Sequence, residues 1–323
     1  MIVRAAPLVA ALLSLFSPEV FADAPPAILP PKNPASAHSM ADPSVLYANG
    51  ALYCYSTSGC QPEGSYPIHR TEDGRKWKEV GHIFTTGHYP AWVGACDYWA
   101  PEVHLIGGKY IAHYSARNRD HLFCIGAAVS DSPEGPFTDI GAPLVCATDV
   151  GLIDASYFRD PVWGNSYVLW KEDGNGRRPK QKTPLVLQKV TPDGLHAYGE
   201  KCSLIINDVG WEEDLVEAPN IIYRAPYYYL FFSGSGYGGD HYGIGVARSR
   251  EVEGGYEKCA VNPIVRSDEK FDGPGHCFLF EDKTDHWMMF YHARDRSKDS
   301  RARLLMMSEV TWTEDQWPLV TMR

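Results

Sequence analysis

Past its first twenty-odd residues the chain has no apolar run approaching the about 20 residues that a membrane-spanning helix needs. It has no Cys-x-x-Cys pair, which leaves a zinc ribbon or a thioredoxin-like motif without support. It has no basic excess either: 30 Lys and Arg stand against 40 Asp and Glu, a net charge of −10. That argues against a nucleic-acid partner, because such binding rests on basic patches that neutralise phosphate. What is abundant is 19 Tyr, 9 Trp, 29 Gly and 24 Pro. Rings pack well on pleated surfaces while Gly and Pro end them, so this mixture favours short strands and tight turns and excludes a helical bundle. With 44% hydrophobic and 22% charged residues, the composition is that of an ordinary globular protein.

Residues 1–22 read as a secretion signal: Arg4, then a largely apolar stretch from Ala5 to Phe16, then small residues around Val20-Phe21-Ala22. Residues 23–37 read as a Pro-rich linker, and 38–323 as one folded unit. Export would place all eight cysteines in an oxidising compartment, where disulfides form, and Cys54–Cys60 is close enough in sequence to bridge a hairpin end. The mature chain is expected to be secreted, extracellular or periplasmic, and monomeric.

Five segments share one grammar at a period near sixty residues. They open at Asp42-Pro43-Ser44, Trp99-Ala100-Pro101-Glu102, Asp154-Ala155-Ser156, Glu217-Ala218-Pro219 and Gly275-His276-Cys277. Each continues as an apolar strand, turns at pairs such as Asn49-Gly50, Gly107-Gly108 or Gly164-Asn165, and returns as an aromatic-rich strand. A second hairpin follows in every unit, with tips at Glu72-Asp73-Gly74, Ser132 to Pro136, Pro192-Asp193-Gly194, Glu253-Gly254-Gly255 and Glu314-Asp315. Four strands per unit and five units predict an all-β, five-bladed β-propeller. A long β-sandwich would explain the strands but not the period.

In a propeller the residues opening equivalent inner strands converge on one mouth. The opening position holds Asp42, Asp154, Glu217, His276 and Trp99, which is not core-forming company, since buried carboxylates are costly unless paired or used. Several carboxylates among aromatic walls suit glycosidic bond cleavage: one carboxyl donates a proton to the leaving oxygen, and a second, ionised, activates water or attacks the sugar. A third raises the donor's pKa by like-charge repulsion.

The motifs Ala41-Asp42-Pro43-Ser44-Val45, Trp99-Ala100-Pro101-Glu102-Val103, Ile153-Asp154-Ala155-Ser156, Glu217-Ala218-Pro219 and Gly273-Pro274-Gly275-His276 run in order with Arg303, Trp312 and Trp317-Pro318. The chain thereby resembles glycoside hydrolase family 43, from about residue 38 to 321. The resemblance implies an inverting hydrolase of α-L-arabinofuranosides or β-D-xylosides, with arabinan, arabinoxylan or derived oligosaccharides as partners. It implies Asp42 as general base, Glu217 as general acid and Asp154 as the residue that tunes the acid and orients the sugar. It further implies Trp99, Arg303, Phe158 and Tyr237 as substrate-binding residues, no cofactor for the chemistry, and a channel ion such as calcium held through water near His276.

Rival readings stand beside these. Asp160 competes with Asp154 but falls beyond the inner strand, as a loop residue, and Glu212, Glu213 and Asp214 read as a solvated loop before Glu217. Trp92, Trp170, Trp211 and Tyr237 read either as sugar platforms or as blade packing, with packing the preferred reading of each. Arg159-Asp160-Pro161 echoes retaining fructan-cleaving propellers, and a non-catalytic sugar-binding propeller would need the rings but not three acids. The segments Lys171–Thr183 and Gly234–Tyr242 are expected to set specificity, with the lean towards arabinofuranosides.

Overall fold

The computed structural model describes residues 32–282, 286–298 and 301–321. The expected signal segment and most of the expected linker lie outside them. Among the described residues five antiparallel sheets of four strands each follow one another along the chain. The first comprises β1 (Ser44–Ala48), β2 (Ala51–Tyr55), β3 (Gly64–Thr71) and β4 (Lys78–Thr85), and the second β5 (Val93–Ile106), β6 (Lys109–Asn118), β7 (Phe123–Ser130) and β8 (Thr138–Asp139). The third comprises β9 (Leu152–Arg159), β10 (Ser166–Glu172), β11 (Leu185–Val190) and β12 (Ala197–Ile205). The fourth comprises β13 (Val216–Arg224), β14 (Tyr227–Gly234), β15 (Gly243–Ser249) and β16 (Glu257–Lys258). The fifth comprises β17 (Phe271–Glu281), β18 (Trp287–Asp295), β19 (Leu304–Trp312) and β20 (Pro318–Thr321). The sheets form a ring, a five-bladed β-propeller with four strands per blade, as the repeat predicts.

Aromatic residues on facing blades supply the core. Between the first two blades Tyr66, Phe84, Tyr98 and Tyr114 pack edge to face and tilted, with centroids 5.1 to 6.2 Å apart. Trp92 stacks on Tyr114, Trp170 is buried and Trp211 lies against Phe232, so these tryptophans are packing residues, as expected. The ring closes where the chain ahead of β1 bonds to the last blade: Ala35 N–H donates to Leu305 O, Met40 N–H to Arg303 O, and Asn33 exchanges two bonds with Met307.

Disulfides join Cys60 to Cys96 and Cys124 to Cys146. The Cys54–Cys60 bridge suggested by sequence proximity is not made. Cys54 lies on β2 and faces the core beside Val45 and Met288, where burial pushes its thiol pKa up, while Cys60 sits in the following loop and reaches the start of β5.

Candidate active site

Each inner strand opens on a residue in the left-handed region: Asp42 (φ 52), Ala100 (φ 44), Asp154 (φ 61), Ala218 (φ 54) and His276 (φ 50). In four blades the strand register slips there, between Trp99 and Glu102, Ile153 and Ser156, Glu217 and Asn220, and Gly275 and Phe278. An extra residue in one strand makes a β-bulge, which twists the strand and re-aims its side chains. Left-handed backbone at a non-glycine residue costs about 1–3 kcal/mol and persists only where the surroundings over-determine it. The proline that follows the turning residue at 43, 101 and 219 fits, since it needs no partner for an N–H it lacks. The repeat equivalence is thereby sharpened. Ala218, not Glu217, corresponds to Asp42 and Asp154, and Glu217 stands one residue earlier, on the longer side chain.

The bulges bring the expected acids together in a pocket of about 440 Å³. Asp42, Asp154 and Glu217 line it with His276, Arg303 and Trp99, and Lys171, Asp173, Thr57, Tyr237 and Tyr242 complete its wall. Asp42 Oδ1 accepts from Arg303 Nη1 at 2.7 Å, and its Oδ2 accepts from the Thr57 hydroxyl at 2.6 Å. Burial works against ionisation of Asp42, but Arg303 with His276 and Thr57 outweighs it and holds the carboxyl well below the usual range. His292 is buried and neutral, since burial and Arg303 disfavour its charged form. Its Nδ1 accepts the Asp42 N–H at 3.1 Å, so the 3.3 Å approach of Nδ1 to Asp42 Oδ1 is not an ion pair.

Asp154 is opposite in character. Burial raises its pKa, the Glu217 and Asp42 charges raise it further against His276 and Lys171, and it stands at about 7. Its Oδ2 accepts the Ala218 N–H at 3.0 Å. Glu217 is faced by two donors, Lys171 Nζ at 3.0 Å on Oε2 and the Tyr242 hydroxyl at 2.8 Å on Oε1. Lys171 is 1% exposed. Burial disfavours its charged form, but Glu217, Asp173 and Asp154 outweigh that and keep the ammonium charged. The pocket thus holds one carboxylate, Asp42, kept ionised by Arg303, and across from it Asp154, whose carboxyl burial and neighbouring charge push up to about 7, beside Glu217 and its donors Lys171 and Tyr242. An ionised and a protonatable carboxyl in one pocket are what acid–base cleavage of a glycosidic bond requires.

Trp99 forms part of the wall, with its ring 4.1 Å from that of Phe123. Tyr237 is 58% exposed above Arg303, 5.1 Å from the guanidinium, in the loop between β14 and β15. Arg294 holds that loop by donating to Tyr237 O and Gly239 O. Phe158, expected to touch substrate, does not reach the pocket. It lies near the far end of β9, buried edge-on against Tyr228, because three residues of extended strand separate it from Asp154. Asp160 falls in the turn after β9, as expected, yet is buried, accepting from the Tyr228 hydroxyl and Val162 N–H. Glu212 is not solvated as expected. It is buried and accepts from two backbone N–H groups and Lys258, stabilising the approach to β13.

Lys171, Tyr242, Thr57 and Asp173 were not singled out from sequence as site residues. Lys171 was grouped with a specificity insert, but β10 runs through it to Glu172. A signal was available: an aromatic residue followed by a hydroxyl, as in Tyr114-Ser115 and Phe232-Ser233, recurs at this place as Trp170-Lys171. Among the described residues no three His, Cys, Asp or Glu side chains converge as a metal-ligand set. His276 Nδ1 faces Asp42 Oδ1 at 3.4 Å.

Comparison with known proteins agrees with the geometry. The family model described as Glycosyl hydrolases family 43 matches residues 31–318. The "Xylosidase/arabinosidase" of Butyrivibrio fibrisolvens is 25% identical over 292 residues, 86% of this chain and 54% of that protein, so the chain spans about half that relative's length. The "Arabinan endo-1,5-alpha-L-arabinosidase C" of Emericella nidulans is 26% identical over 271 residues, 76% of this chain and 79% of the relative. Among solved structures, a thermostable family-43 glycoside hydrolase superposes with a TM-score of 0.79 at 25% identity, over 88% of this chain and 93% of the other.

Proposed function

Because the chain belongs to glycosyl hydrolases family 43, a family of inverting hydrolases of O-glycosyl bonds, we propose that it cleaves α-L-arabinofuranosidic linkages of arabinan, arabinoxylan or their oligosaccharides in one inverting step. Asp42 takes a proton from a water as that water's oxygen attacks the anomeric carbon. The bond from that carbon to the leaving oxygen breaks, and Glu217 gives the leaving oxygen a proton. Asp154 acts on the acid through the repulsion between their charges and holds the Ala218 turn beside it.

The observation that carries this reading is the electrostatic asymmetry of the pocket. The cation Arg303 is spent on Asp42, which keeps a base ionised, while burial and mutual repulsion retain a proton near neutrality on the opposite wall. A sugar-binding protein gains nothing from this arrangement. The arabinan-directed name of the Emericella relative supports the arabinofuranoside choice. Export is supported by the Cys60–Cys96 and Cys124–Cys146 bridges, which persist in oxidising compartments.

The test is a panel of nitrophenyl glycosides with linear arabinan and xylan, the anomer first released being followed by proton NMR. The expected result is hydrolysis of the α-L-arabinofuranoside with inversion, and its loss in Glu217→Gln with ligand affinity retained. Retention of configuration, or oligosaccharide binding with no sugar released by the wild type, would overturn the reading.

A further inference from the structure

Four of the five blades meet one hydrogen-bonding demand in the same way, and the third does not. The left-handed residue that opens each inner strand turns its N–H towards the preceding blade. Ala100 donates to Thr57 Oγ1 at 2.8 Å, Asp154 to Ser115 Oγ at 2.9 Å, His276 to Ser233 Oγ at 2.8 Å, and Asp42 to His292 Nδ1 at 3.1 Å. The acceptor always stands at the same place on or just past the second strand. Ser115 pairs with Trp99, Ser233 with Glu217 and His292 with Gly275. The residue at that place in the third blade, paired with Ile153, is Lys171.

An ammonium group has no acceptor to offer. The Ala218 N–H, which by the ring pattern should end on residue 171, goes instead to Asp154 Oδ2 at 3.0 Å. Lys171 Nζ turns to Glu217 Oε2 and Asp173 Oδ1, each at 3.0 Å. Burying a lysine carries a desolvation cost that the serines at 115 and 233 avoid. The chain bears that cost at the blade junction where Asp154 and Glu217 meet.

We propose that Lys171 is a positioning residue for proton transfer to the leaving sugar: placing a donor where the ring otherwise has an acceptor commits Asp154 to the Ala218 amide and clamps the Glu217 carboxyl, with Asp173 sharing the ammonium charge. This rests on the reading of Glu217 as general acid. Lys171 and Asp173 face Glu217 from the third blade, with Asp154 from that blade's inner strand. Tyr242 faces it from the fourth blade, and Asp42, His276 and Arg303 contribute charge across the pocket. Of these, Lys171 is the cation that touches it.

The experiment compares the wild type with Lys171→Met, Lys171→Arg and Asp173→Asn, using p-nitrophenyl α-L-arabinofuranoside and α-1,5-arabinobiose. Removing the cation should raise the pH of the alkaline limb of kcat/KM, because the acid then keeps its proton to higher pH. It should lower kcat on arabinobiose at least ten-fold more than on the nitrophenyl substrate, whose leaving group needs little protonation. Lys171→Arg should restore most of both effects, and Asp173→Asn, which leaves more positive charge on Glu217, should move the limb down. In parallel, the ¹³C carboxyl resonance of Glu217, assigned by its loss in Glu217→Gln, should titrate at higher pH in Lys171→Met without any substrate. With Glu217→Gln inactive, an unmoved limb and resonance, or activity losses that follow the fall in Tm and are not rescued by Arg, would overturn the positioning role alone. Full activity of Glu217→Gln on arabinobiose would overturn the acid assignment, and the role with it.

Discussion

Arg303 and Asp42, 261 residues apart in sequence, meet at 2.7 Å across the seam where the last blade joins the first. Closure of the ring and ionisation of Asp42, the proposed base, therefore share one contact. The backbone confirms the coupling: Arg303 O accepts from Met40 N–H two residues before Asp42.

Replacing Arg303 with Met should make Asp42, the proposed base, easier to protonate. Asp42 is held below its ordinary range mainly by this guanidinium working against burial, so removing the cation raises its pKa and moves the acid limb of kcat/KM upward. Activity at pH 4 relative to pH 7 should fall, and this ratio separates the charge effect from any uniform loss of sugar binding. An unchanged ratio would show that His276 and Thr57 suffice.

Asp154→Asn should abolish most activity yet stabilise the fold at alkaline pH. The native-state pKa is raised from 3.8 to about 7, so the folded protein binds a proton that the unfolded chain has already released. Native stability therefore declines as pH rises through the window from about 4 to about 7, by a few kcal/mol at most. The amide cannot ionise and its oxygen can still accept from Ala218. Tm measured from pH 4 to 8 should fall in the wild type and flatten in the variant.

Gly275→Ala should disturb Glu217, the proposed acid, without touching it. A Cβ there would lie 1.9 Å from the Tyr242 ring, the ring whose hydroxyl donates to Glu217. Overpacking of this kind costs about 1–3 kcal/mol. The kcat on an unactivated disaccharide should drop well beyond what Tyr242→Phe, which keeps the ring in place, produces. Equal effects of the two substitutions would show that the hydroxyl alone matters.

Reducing the Cys60–Cys96 bridge should destabilise the first two blades. Its separation of 36 residues corresponds to about 3–4 kcal/mol of loop entropy in the unfolded chain. Urea unfolding of Cys60→Ser with Cys96→Ser, compared with the wild type under oxidising conditions, measures it. A midpoint unchanged within error would mean that the loop is held by Ser58 and Tyr98 pairing alone.

Much of the architecture was legible because it is periodic. A turn pair between two apolar runs needs only local backbone chemistry, and five such units at one spacing leave a ring as the way to bury both faces of every sheet. The carboxylates Asp42 and Asp154 were legible for a related reason, since they occupy a repeated slot where a core would not tolerate charge. Glu217 was found as well, but one residue out of register, because Glu-Ala-Pro and Asp-Pro-Ser look alike until the bulge is seen. Phe158 was misjudged because the adjacent rings Tyr157 and Phe158 do not say which end of their strand meets the pocket. Lys171, Tyr242 and Thr57 escaped because their meaning lies between blades.

Sequence alone thus determined the blade count, the strand order and the set of acids, since these follow from local propensity and a repeat that every unit obeys. Only the folded ring decided which acid is stripped of its proton and which retains it. Those properties depend on distances of about 3 Å between side chains from different blades, such as Arg303 to Asp42 and Lys171 to Glu217. Electrostatic energy in a buried pocket varies with separation and desolvation, and neither quantity exists until the last blade closes on the first.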